Sequence, residues 1–292
     1  MFVSKFTAQW FTDRGYDVYV LNRGTRPQVK GVRLIQADRH ALGQTLRGIH
    51  FDAVLDVCAY QAADVDDLLD ALDSFDDYVL ISSSAVYPET LEQPFREDQP
   101  SGFNSIWGAY GMGKIAAENA LLSRCPGGYI LRPPYLYGPM QNVYREPFVF
   151  DCALADRTFY LPGDGSMKLQ FFHVEDLCRV MEALLLHHPV HHVINVGNAD
   201  AVTVREFVSL CYQAVGARLR MLSVPKDIPQ RSYFSFYDYQ YMLDTSRQAE
   251  LLPETIQLEQ GIADSLKWYL SHPADVARKD YIAYIDHHLT HA

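Results

Sequence analysis

Long hydrophobic runs are missing from this 292-residue sequence. No apolar stretch approaches the roughly 18 residues that a membrane-spanning helix needs. The opening segment mixes Phe2, Phe6 and Trp10 with charged side chains, which is not the pattern of a signal peptide. The sequence therefore predicts a soluble, cytoplasmic protein without a membrane partner.

Basic residues are also scarce. Lysine and arginine total 25 against 36 aspartates and glutamates, which gives a formal net charge of −11. A surface of this sign repels phosphate backbones and anionic membranes. Because no basic cluster offsets the charge, the composition argues against a nucleic-acid partner and favours a small-molecule substrate.

Cysteines are few and scattered. The sequence has 5 of them, an odd number, and no pair has the spacing of a disulfide framework, a redox motif or a metal site. They are expected to be reduced, buried thiols. His187, His188, His191 and His192 lie close together, but Pro189 breaks any helix that would align them, so no metal site is expected.

The composition is that of a folded protein, with 48% hydrophobic and 21% charged residues. Aromatic residues at helical intervals predict that the chain opens in a helix ending at Gly15. Short apolar runs predict strands at residues 18–21, 32–35, 53–57, 78–81 and 129–131. Helical patterns lie between them at residues 64–72 and 106–122. This alternation predicts an α/β fold with a doubly wound parallel sheet.

The second half of the chain is less regular. Helices are predicted at residues 148–155, 175–186, 204–215, 258–270 and 274–287, with a late strand at 193–196. The tyrosine-rich segment 233–241 is either a substrate-lining loop or a packed edge strand. Without a repeat or a low-complexity linker, a smaller second domain built from interleaved segments fits better than two separate ones.

A tyrosine and a lysine stand one helical turn apart in the predicted helix at residues 106–122. Tyr110 and Lys114 are four positions apart, so the phenol and the ammonium share one face. A nearby cation favours the phenolate and is expected to lower the phenol pKa toward the range useful for proton transfer at neutral pH. The same spacing also occurs by chance, as an ordinary surface pair.

Further sequence motifs lie before and after this pair. Ser82, Ser83 and Ser84 follow the strand at residues 78–81, at the carboxyl end of the sheet, where ligands bind in such folds. The set comprises ISSSAVY (81–87), YGMGK (110–114), LRPPYLYGP (131–139), PGDG (162–165) and FHVED (172–176). In order and spacing it resembles the extended short-chain dehydrogenase/reductases, also called the NAD-dependent epimerase/dehydratase family.

The resemblance implies a Rossmann-like, NAD(P)-dependent oxidoreductase or epimerase acting on a hydroxyl or carbonyl of a sugar-like or nucleotide-linked substrate. By position, Ser83 would hold the substrate oxygen and Tyr110 would be the acid/base. Lys114 would bind the nicotinamide ribose and tune Tyr110. The resemblance also implies a dinucleotide-binding domain and a smaller substrate-binding domain, and it leaves a homodimer open. Their bounds would be residues 1–135 with 172–197, and residues 136–171 with 198–292.

The cofactor side departs from the family pattern. The Gly-rich strand-to-helix turn that cradles the pyrophosphate is missing, and Ser4 falls where its last glycine usually stands. The first strand and the earlier glycines are therefore expected upstream of Met1, either because the start codon was placed too late or because the protein is truncated.

Five positions remain for the adenosine end of the cofactor. They are Asn22 and Arg23 after the strand at 18–21, Asp38 after 32–35, and Ala59 and Tyr60 after 53–57. Arginine at this place suits a ribose 2′-phosphate and favours NADP over NAD. Each position is equally compatible with an ordinary loop residue.

The substrate side is marked by departures from the family. Members that dehydrate nucleotide sugars usually have Asp-Glu where Ser84 and Ala85 stand, so dehydration is not expected. Sugar-nucleotide epimerases commonly have asparagine and arginine where Tyr135 and Leu169 stand, so a UDP-sugar is not supported. These departures resemble a subgroup with chloroplast RNA-binding relatives. A non-catalytic nucleotide- or RNA-associated binding module on the same fold therefore stays open as the alternative.

Overall fold

The computed structural model describes residues 2–290. The helices are α1 (Phe2–Asp13), α2 (Ala62–Ala71), α3 (Gly108–Arg124), α4 (Glu146–Leu154), α5 (Val174–His187), α6 (Val204–Val215), α7 (Ser246–Leu251), α8 (Leu258–Ser271) and α9 (Tyr281–His288). The strands are β1 (Tyr19–Asn22), β2 (Arg33–Gln36), β3 (His50–Asp56), β4 (Ser74–Ile81), β5 (Tyr129–Arg132), β6 (Tyr135–Tyr137), β7 (Phe159–Pro162), β8 (Lys168–Leu169), β9 (Phe171–His173), β10 (Val193–Asn195), β11 (Val202–Thr203) and β12 (Met221–Val224). Short 3₁₀ turns lie at Ser84–Val86, Gln230–Ser232 and Pro273–Asp275.

A four-stranded parallel sheet forms the centre of the first half. Its order is β10-β5-β4-β3, and each neighbouring pair is parallel. Side chains of β4 alternate between the faces: Val79 and Ile81 pack in the cluster formed with α1 and α5. Tyr78 and Leu80 pack in the cluster formed with α2 and α3. Helices cover both faces, which confirms the predicted doubly wound α/β architecture.

The strands β1 and β2 form a separate parallel pair next to β3. In the described part of the chain this pair is not hydrogen-bonded to the four-stranded sheet. Tyr19 of β1 meets Phe51 of β3 edge to face, with ring centroids 5.6 Å apart. Leu21 and Val54, one from each strand, pack against the same apolar cluster but remain only partly buried. One edge of β1 and one edge of β3 are therefore neighbours that do not pair.

The second half encloses an aromatic core. The pair β7–β12 is parallel, β6–β9 is parallel and β8–β11 is antiparallel. Helices α4, α6 and α8 pack around them, and Phe171 stacks on Phe207 with ring centroids 5.0 Å apart. Both rings are buried. This core lies apart from the two clusters that cover the faces of the four-stranded sheet.

For the second half, one expectation is corrected and one open alternative is decided. The predicted helix at residues 274–287 is instead a 3₁₀ turn at Pro273–Asp275 followed by α9. The backbone between them is extended because Ala277 donates to Asn142 O at 2.9 Å and bridges to Val143. Residues 233–241 form a packed loop rather than an edge strand. Tyr233 is buried there and Tyr237 is 38% exposed.

The cysteines are all free, but not all are buried. Cys152, Cys178 and Cys211 are buried as expected, whereas Cys58 is exposed because it lies in the loop after β3. None of the helices within residues 2–290 combines the length and apolar character needed to cross a membrane.

Candidate active site

The candidate site lies at the carboxyl edge of the four-stranded sheet. Strand β4 ends at Ile81 and is followed by Ser83, whose hydroxyl accepts a hydrogen bond from Ala85 N at 3.2 Å. Helix α3 passes beside this turn and carries Tyr110 and Lys114 on one face. Because parallel strands end at the same edge, the loops after β3 and β4 and the face of α3 meet here.

Two glycines allow α3 to approach these loops closely. A Cβ at Gly111 would lie 2.5 Å from Ala85 O, and a Cβ at Gly113 would lie 2.2 Å from Tyr60 O. Side chains of any size would push the helix away from both carbonyls. The glycines of the YGMGK motif thus set the distance between the reactive side chains and the sheet.

Lys114 is buried beneath the site, with only 3% of its surface exposed. Its Nζ donates to Ala59 O at 2.7 Å and to Ile81 O at 2.8 Å, at the ends of β3 and β4. Burial lowers the pKa of the ammonium to about 8, and the carboxylates of Asp56, Glu118 and Asp64 act in the opposite direction. The lysine thereby ties α3 to both strands.

Ser83 and Arg145 both act on the phenol of Tyr110. The tyrosine residue is 42% exposed, yet burial raises the pKa of its phenol. The Ser83 hydroxyl and the positive charge of Arg145 act in the opposite direction and favour the phenolate.

This corrects the expectation that Lys114 lowers the pKa of Tyr110. Lys114 Nζ lies 6.0 Å from the centroid of the Tyr110 ring and is bound to two carbonyl oxygens. The cation that acts on the phenol is Arg145, which belongs to the turn before α4. Sequence reasoning missed Arg145 because no spacing relates it to Tyr110.

A buried polar chain supports α3 from below. The Glu118 carboxylate accepts hydrogen bonds from Nε and Nη2 of Arg132, at 3.0 and 2.6 Å. It also accepts one from Ser82 Oγ at 2.5 Å. Arg132 also donates to Tyr87 Oη at 2.8 Å, and Tyr87 donates to Asn195 Oδ1 at 2.7 Å. A bidentate arginine–carboxylate pair of this kind is strong and directional. The polar chain connects α3 with β4, β5 and β10, although the sequence identified Ser82, Tyr87 and Arg132 only as parts of motifs.

The five residues expected at the adenosine end all follow strands at the same edge. Asn22 Oδ1 accepts from Gly24 N at 2.8 Å in a turn after β1, and Arg23 beside it is exposed. Asp38 is exposed after β2, where its carboxylate accepts from His40 N at 3.0 Å.

The loop after β3 brings the other two residues next to the reactive pair. Ala59 is buried, and its carbonyl oxygen holds Lys114. Tyr60 is 55% exposed, and its ring centroid lies 4.8 Å from Lys114 Nζ and 6.4 Å from the Tyr110 ring. An aromatic face therefore borders the site on the side of the expected cofactor.

The histidines do not form part of this site. His188, at the end of α5, places Nε2 2.9 Å from Asp77 Oδ2. Among residues 2–290, the group whose ligand atoms could surround a metal ion comprises His50, Asp52 and Asp76, within 4.8 Å of one another. All three are exposed and lie near the amino ends of β3 and β4, at the edge of the sheet opposite the site.

Comparisons with known proteins found a matching family model and several similar proteins. A model of the NAD dependent epimerase/dehydratase family matches residues 2–197. The chloroplast stem-loop binding protein of 41 kDa b from Arabidopsis thaliana is 24% identical over 290 residues, covering 90% of this chain and 75% of that protein. The dTDP-glucose 4,6-dehydratase of Streptomyces griseus is 27% identical over 269 residues, covering 89% of this chain and 80% of the enzyme.

Solved structures resemble the fold over nearly the whole chain. The UDP-glucuronic acid 4-epimerase of Bacillus cereus, in complex with UDP-glucuronic acid and NAD, superposes with a TM-score of 0.71. It is 19% identical, and the match covers 92% of this chain and 96% of the epimerase.

Proposed function

This chain belongs to the NAD dependent epimerase/dehydratase family, and we propose that it is an NAD(P)-dependent oxidoreductase or epimerase. Its substrate would present a hydroxyl or carbonyl on a sugar-like or nucleotide-linked molecule. The observation that carries the proposal is the placement of Ser83 after β4 and of Tyr110 on α3 at the carboxyl edge of the sheet, where the buried Lys114 ties α3 to Ala59 O and Ile81 O. That edge is where ligands bind in open parallel α/β sheets.

In the proposed reaction Tyr110 moves a proton at the substrate oxygen while Ser83 holds that oxygen by a hydrogen bond. Because burial raises the pKa of Tyr110, the phenol is protonated at neutral pH and is ready to donate to a carbonyl oxygen. In the opposite direction, Ser83 and the charge of Arg145 stabilise the phenolate that accepts the proton. NAD(P), when bound, supplies the hydride acceptor or donor.

The residues present fit the two ends of such a cofactor. Tyr60 and Lys114 border Tyr110 at one end, and Lys114 would reach the nicotinamide ribose. Asn22, Arg23 and Asp38 would hold the adenosine end after β1 and β2. Between these ends, residues 2–290 contain no Gly-rich turn ahead of α1 to receive the pyrophosphate.

The division into two domains is part of the same proposal. Residues 1–135 with 172–197 would bind the dinucleotide, and residues 136–171 with 198–292 would bind the substrate. The aromatic core, most of whose residues lie in the second half, is separate from the two clusters on the sheet, and this supports the division.

Replacing the phenol tests the proposed role of Tyr110. With NAD(P) and a substrate found by screening nucleotide sugars, Tyr110→Phe should lower kcat at least about a hundredfold, because general acid/base groups supply 10²- to 10⁴-fold. Affinity for the cofactor, measured by calorimetry, should change little. Tyr16→Phe, a partly exposed tyrosine remote from the site, is the control. Retention of more than about a hundredth of the rate in Tyr110→Phe would contradict the assignment.

Arg23 supports a preference for NADP over NAD. It is exposed, and no carboxylate within residues 2–290 pairs with it, so its guanidinium is available for a ribose 2′-phosphate. Arg23→Ala should weaken NADP binding at least about tenfold more than NAD binding, because a charged hydrogen bond contributes about 1.5 to 3 kcal/mol. Equal losses for both cofactors, measured by calorimetry, would remove Arg23 from this role.

The match to a chloroplast stem-loop binding protein favours a second candidate, an RNA-associated module. The net charge of −11 weighs against it. Binding of a stem-loop RNA by electrophoretic shift, with affinity falling steeply as salt increases, would support this candidate. Sugar-nucleotide turnover that depends on Tyr110, without RNA binding, would exclude it.

A further inference from the structure

Arg145 is unusual among the arginines of this chain. Within residues 2–290, it is the one arginine that is not fully exposed and yet has no carboxylate within 4.0 Å. Its guanidinium lies 5.0 Å from the ring centroid of Tyr135 and 5.9 Å from that of Phe236. Its one hydrogen bond goes from Nη1 to Leu136 O at 3.3 Å. Most of its donors are therefore unused.

A second group in the same place also lacks a partner. Tyr135 is only 5% exposed, and its hydroxyl is buried without a hydrogen-bond partner among the described residues. Buried hydroxyls nearly always have a partner, because an unsatisfied buried donor loses its bonds to water without replacement. Within residues 2–290, the Tyr135 hydroxyl has no acceptor, and the neighbouring guanidinium of Arg145 uses one of its donors, on Leu136 O.

These two groups lie beside the reactive tyrosine. Trp107 is one helical turn from Tyr110 at the start of α3, and its ring centroid lies 6.4 Å from that of Tyr135. Arg145 is close enough to lower the pKa of Tyr110. An acceptor held by Arg145 and Tyr135 would thus sit next to the atoms on which Tyr110 acts.

We propose that Arg145 and Tyr135 bind a carboxylate of the substrate, so that the chain selects a sugar acid over the corresponding neutral sugar. The planar guanidinium matches the two oxygens of a carboxylate, and the Tyr135 hydroxyl adds a third donor. A diphosphate presents more oxygens and more charge than this one cation and one hydroxyl satisfy. The inference rests on the proposed function and names the substrate class of that same site.

Binding selectivity between matched sugars tests this inference. Calorimetry would compare UDP-glucuronic acid with UDP-glucose, which differ only in having a carboxylate or a hydroxymethyl group, and with UDP. Saturation-transfer NMR would compare glucuronate with glucose, so that the result does not depend on the nucleotide. The chain should bind the acid at least about tenfold more tightly than the neutral sugar, as expected for a charge-assisted hydrogen bond worth about 1.5 to 3 kcal/mol.

Variants assign the selectivity to the two residues. Arg145→Gln should reduce the preference for the acid to less than about twofold. Arg145→Lys keeps the positive charge but lacks the two parallel donors of the guanidinium, so it should retain part of the preference. Tyr135→Phe should reduce the preference with little effect on neutral-sugar binding. Arg218→Gln, an exposed arginine in the loop after α6, is the control and should leave the preference unchanged.

Several outcomes would overturn the inference. They are equal binding of acid and neutral sugars, binding of none of these probes, loss of preference in Arg218→Gln, or equal weakening of UDP-glucuronic acid, UDP-glucose and UDP by Arg145→Gln. The last would mean that Arg145 contacts the diphosphate. Turnover of a neutral substrate that requires Tyr110, without acid selectivity, would overturn this inference and leave the proposed function intact. Acid selectivity with undiminished turnover in Tyr110→Phe would support this inference but contradict the proposed role of Tyr110.

Discussion

Glu146 is a buried carboxyl group to which the proposed reaction assigns no role. It lies in the first turn of α4, fully buried, and neither of its carboxylate oxygens has a hydrogen-bond partner within residues 2–290. Burial raises its pKa from the usual 4.5 to about 7, and the positive charge of Arg145 acts in the opposite direction. A carboxylate in this place carries a desolvation penalty that a neutral side chain would avoid.

The pH dependence of this penalty follows from the two pKa values. Below about pH 4.5 the group is protonated in both the folded and the unfolded state. As the pH rises from about 4.5 to about 7 the folded state binds more protons than the unfolded state, so the free energy of unfolding falls. Above about pH 7 the full penalty is present.

Glu146→Gln should therefore stabilise the protein at pH 8. The expected gain is on the order of 2 to 3 kcal/mol at pH 8 and less than about 1 kcal/mol at pH 5. Urea unfolding at both values measures the difference. Glu250→Gln, an exposed glutamate on α7, is the control and should show no such change. A gain for Glu146→Gln that is the same at pH 5 and pH 8 would contradict the assignment.

At the scale of elements, the close approach of α3 to the loops after β3 and β4 depends on two glycines, Gly111 and Gly113. Replacing glycine with alanine inside a helix ordinarily stabilises it by about 0.5 to 1 kcal/mol. At Gly113 the added methyl would lie 2.2 Å from Tyr60 O, a backbone atom that moves only with its loop. The sign of the effect should therefore be reversed.

Gly113→Ala is expected to destabilise the fold by about 1 to 3 kcal/mol, the usual range for overpacking. It should also lower activity, because it shifts Lys114 and Tyr110 relative to the ends of the strands. Gly127→Ala, just after α3, is the matched control, since no atom lies within 4 Å of its added Cβ. Denaturant unfolding of both variants measures the effect, and a Gly113→Ala protein as stable as the parent would show that α3 is not held by this contact.

At the scale of the whole molecule, the interruption between β1 and β3 divides the parallel strands into two groups. Strand β4 has partners on both sides, whereas β1 has β2 on one side and no described strand on the other. The carbonyl oxygens of Val18 and Asn22 accept hydrogen bonds from β2 and the residue after it. Because the backbone groups of successive residues point to opposite sides of a strand, those of Val20 also face β2, whereas those of Tyr19 and Leu21 face β3.

Hydrogen exchange should detect this open edge. The amides of Tyr19 and Leu21 are expected to exchange at least about tenfold faster than that of Val20, because amides without a partner in the sheet are poorly protected. Those of Val79 and Leu80 in the doubly paired β4 should be the slowest. Residue-resolved exchange measured by NMR provides the comparison. Equal protection of Tyr19, Val20 and Leu21 would show that both edges of β1 are paired in solution.

The sequence by itself determined the class of fold and the order of its elements. Alternating apolar runs and helical patterns are local, and they indicated α1, the strands β1 to β5 and the helix α3 that carries Tyr110 and Lys114. A helix with residues four apart puts them on one face wherever it packs, so their proximity followed from spacing alone. The place of Ser83 followed from its position directly after a buried strand.

Only the tertiary structure decided which groups from distant segments act together. The positive charge of Arg145, at the start of α4, acts on the phenol of Tyr110 in α3, although the two residues are far apart in sequence. The pKa of Tyr110 is raised rather than lowered because burial outweighs the effects of Ser83 and of the Arg145 charge. The extended backbone at residues 276–277 replaced a predicted helix because its pairing with residues 142–143 is a long-range contact. The spacing of residues in the sequence shows which of them share a face of one helix or strand. Desolvation and long-range contacts depend instead on how the helices and strands pack together.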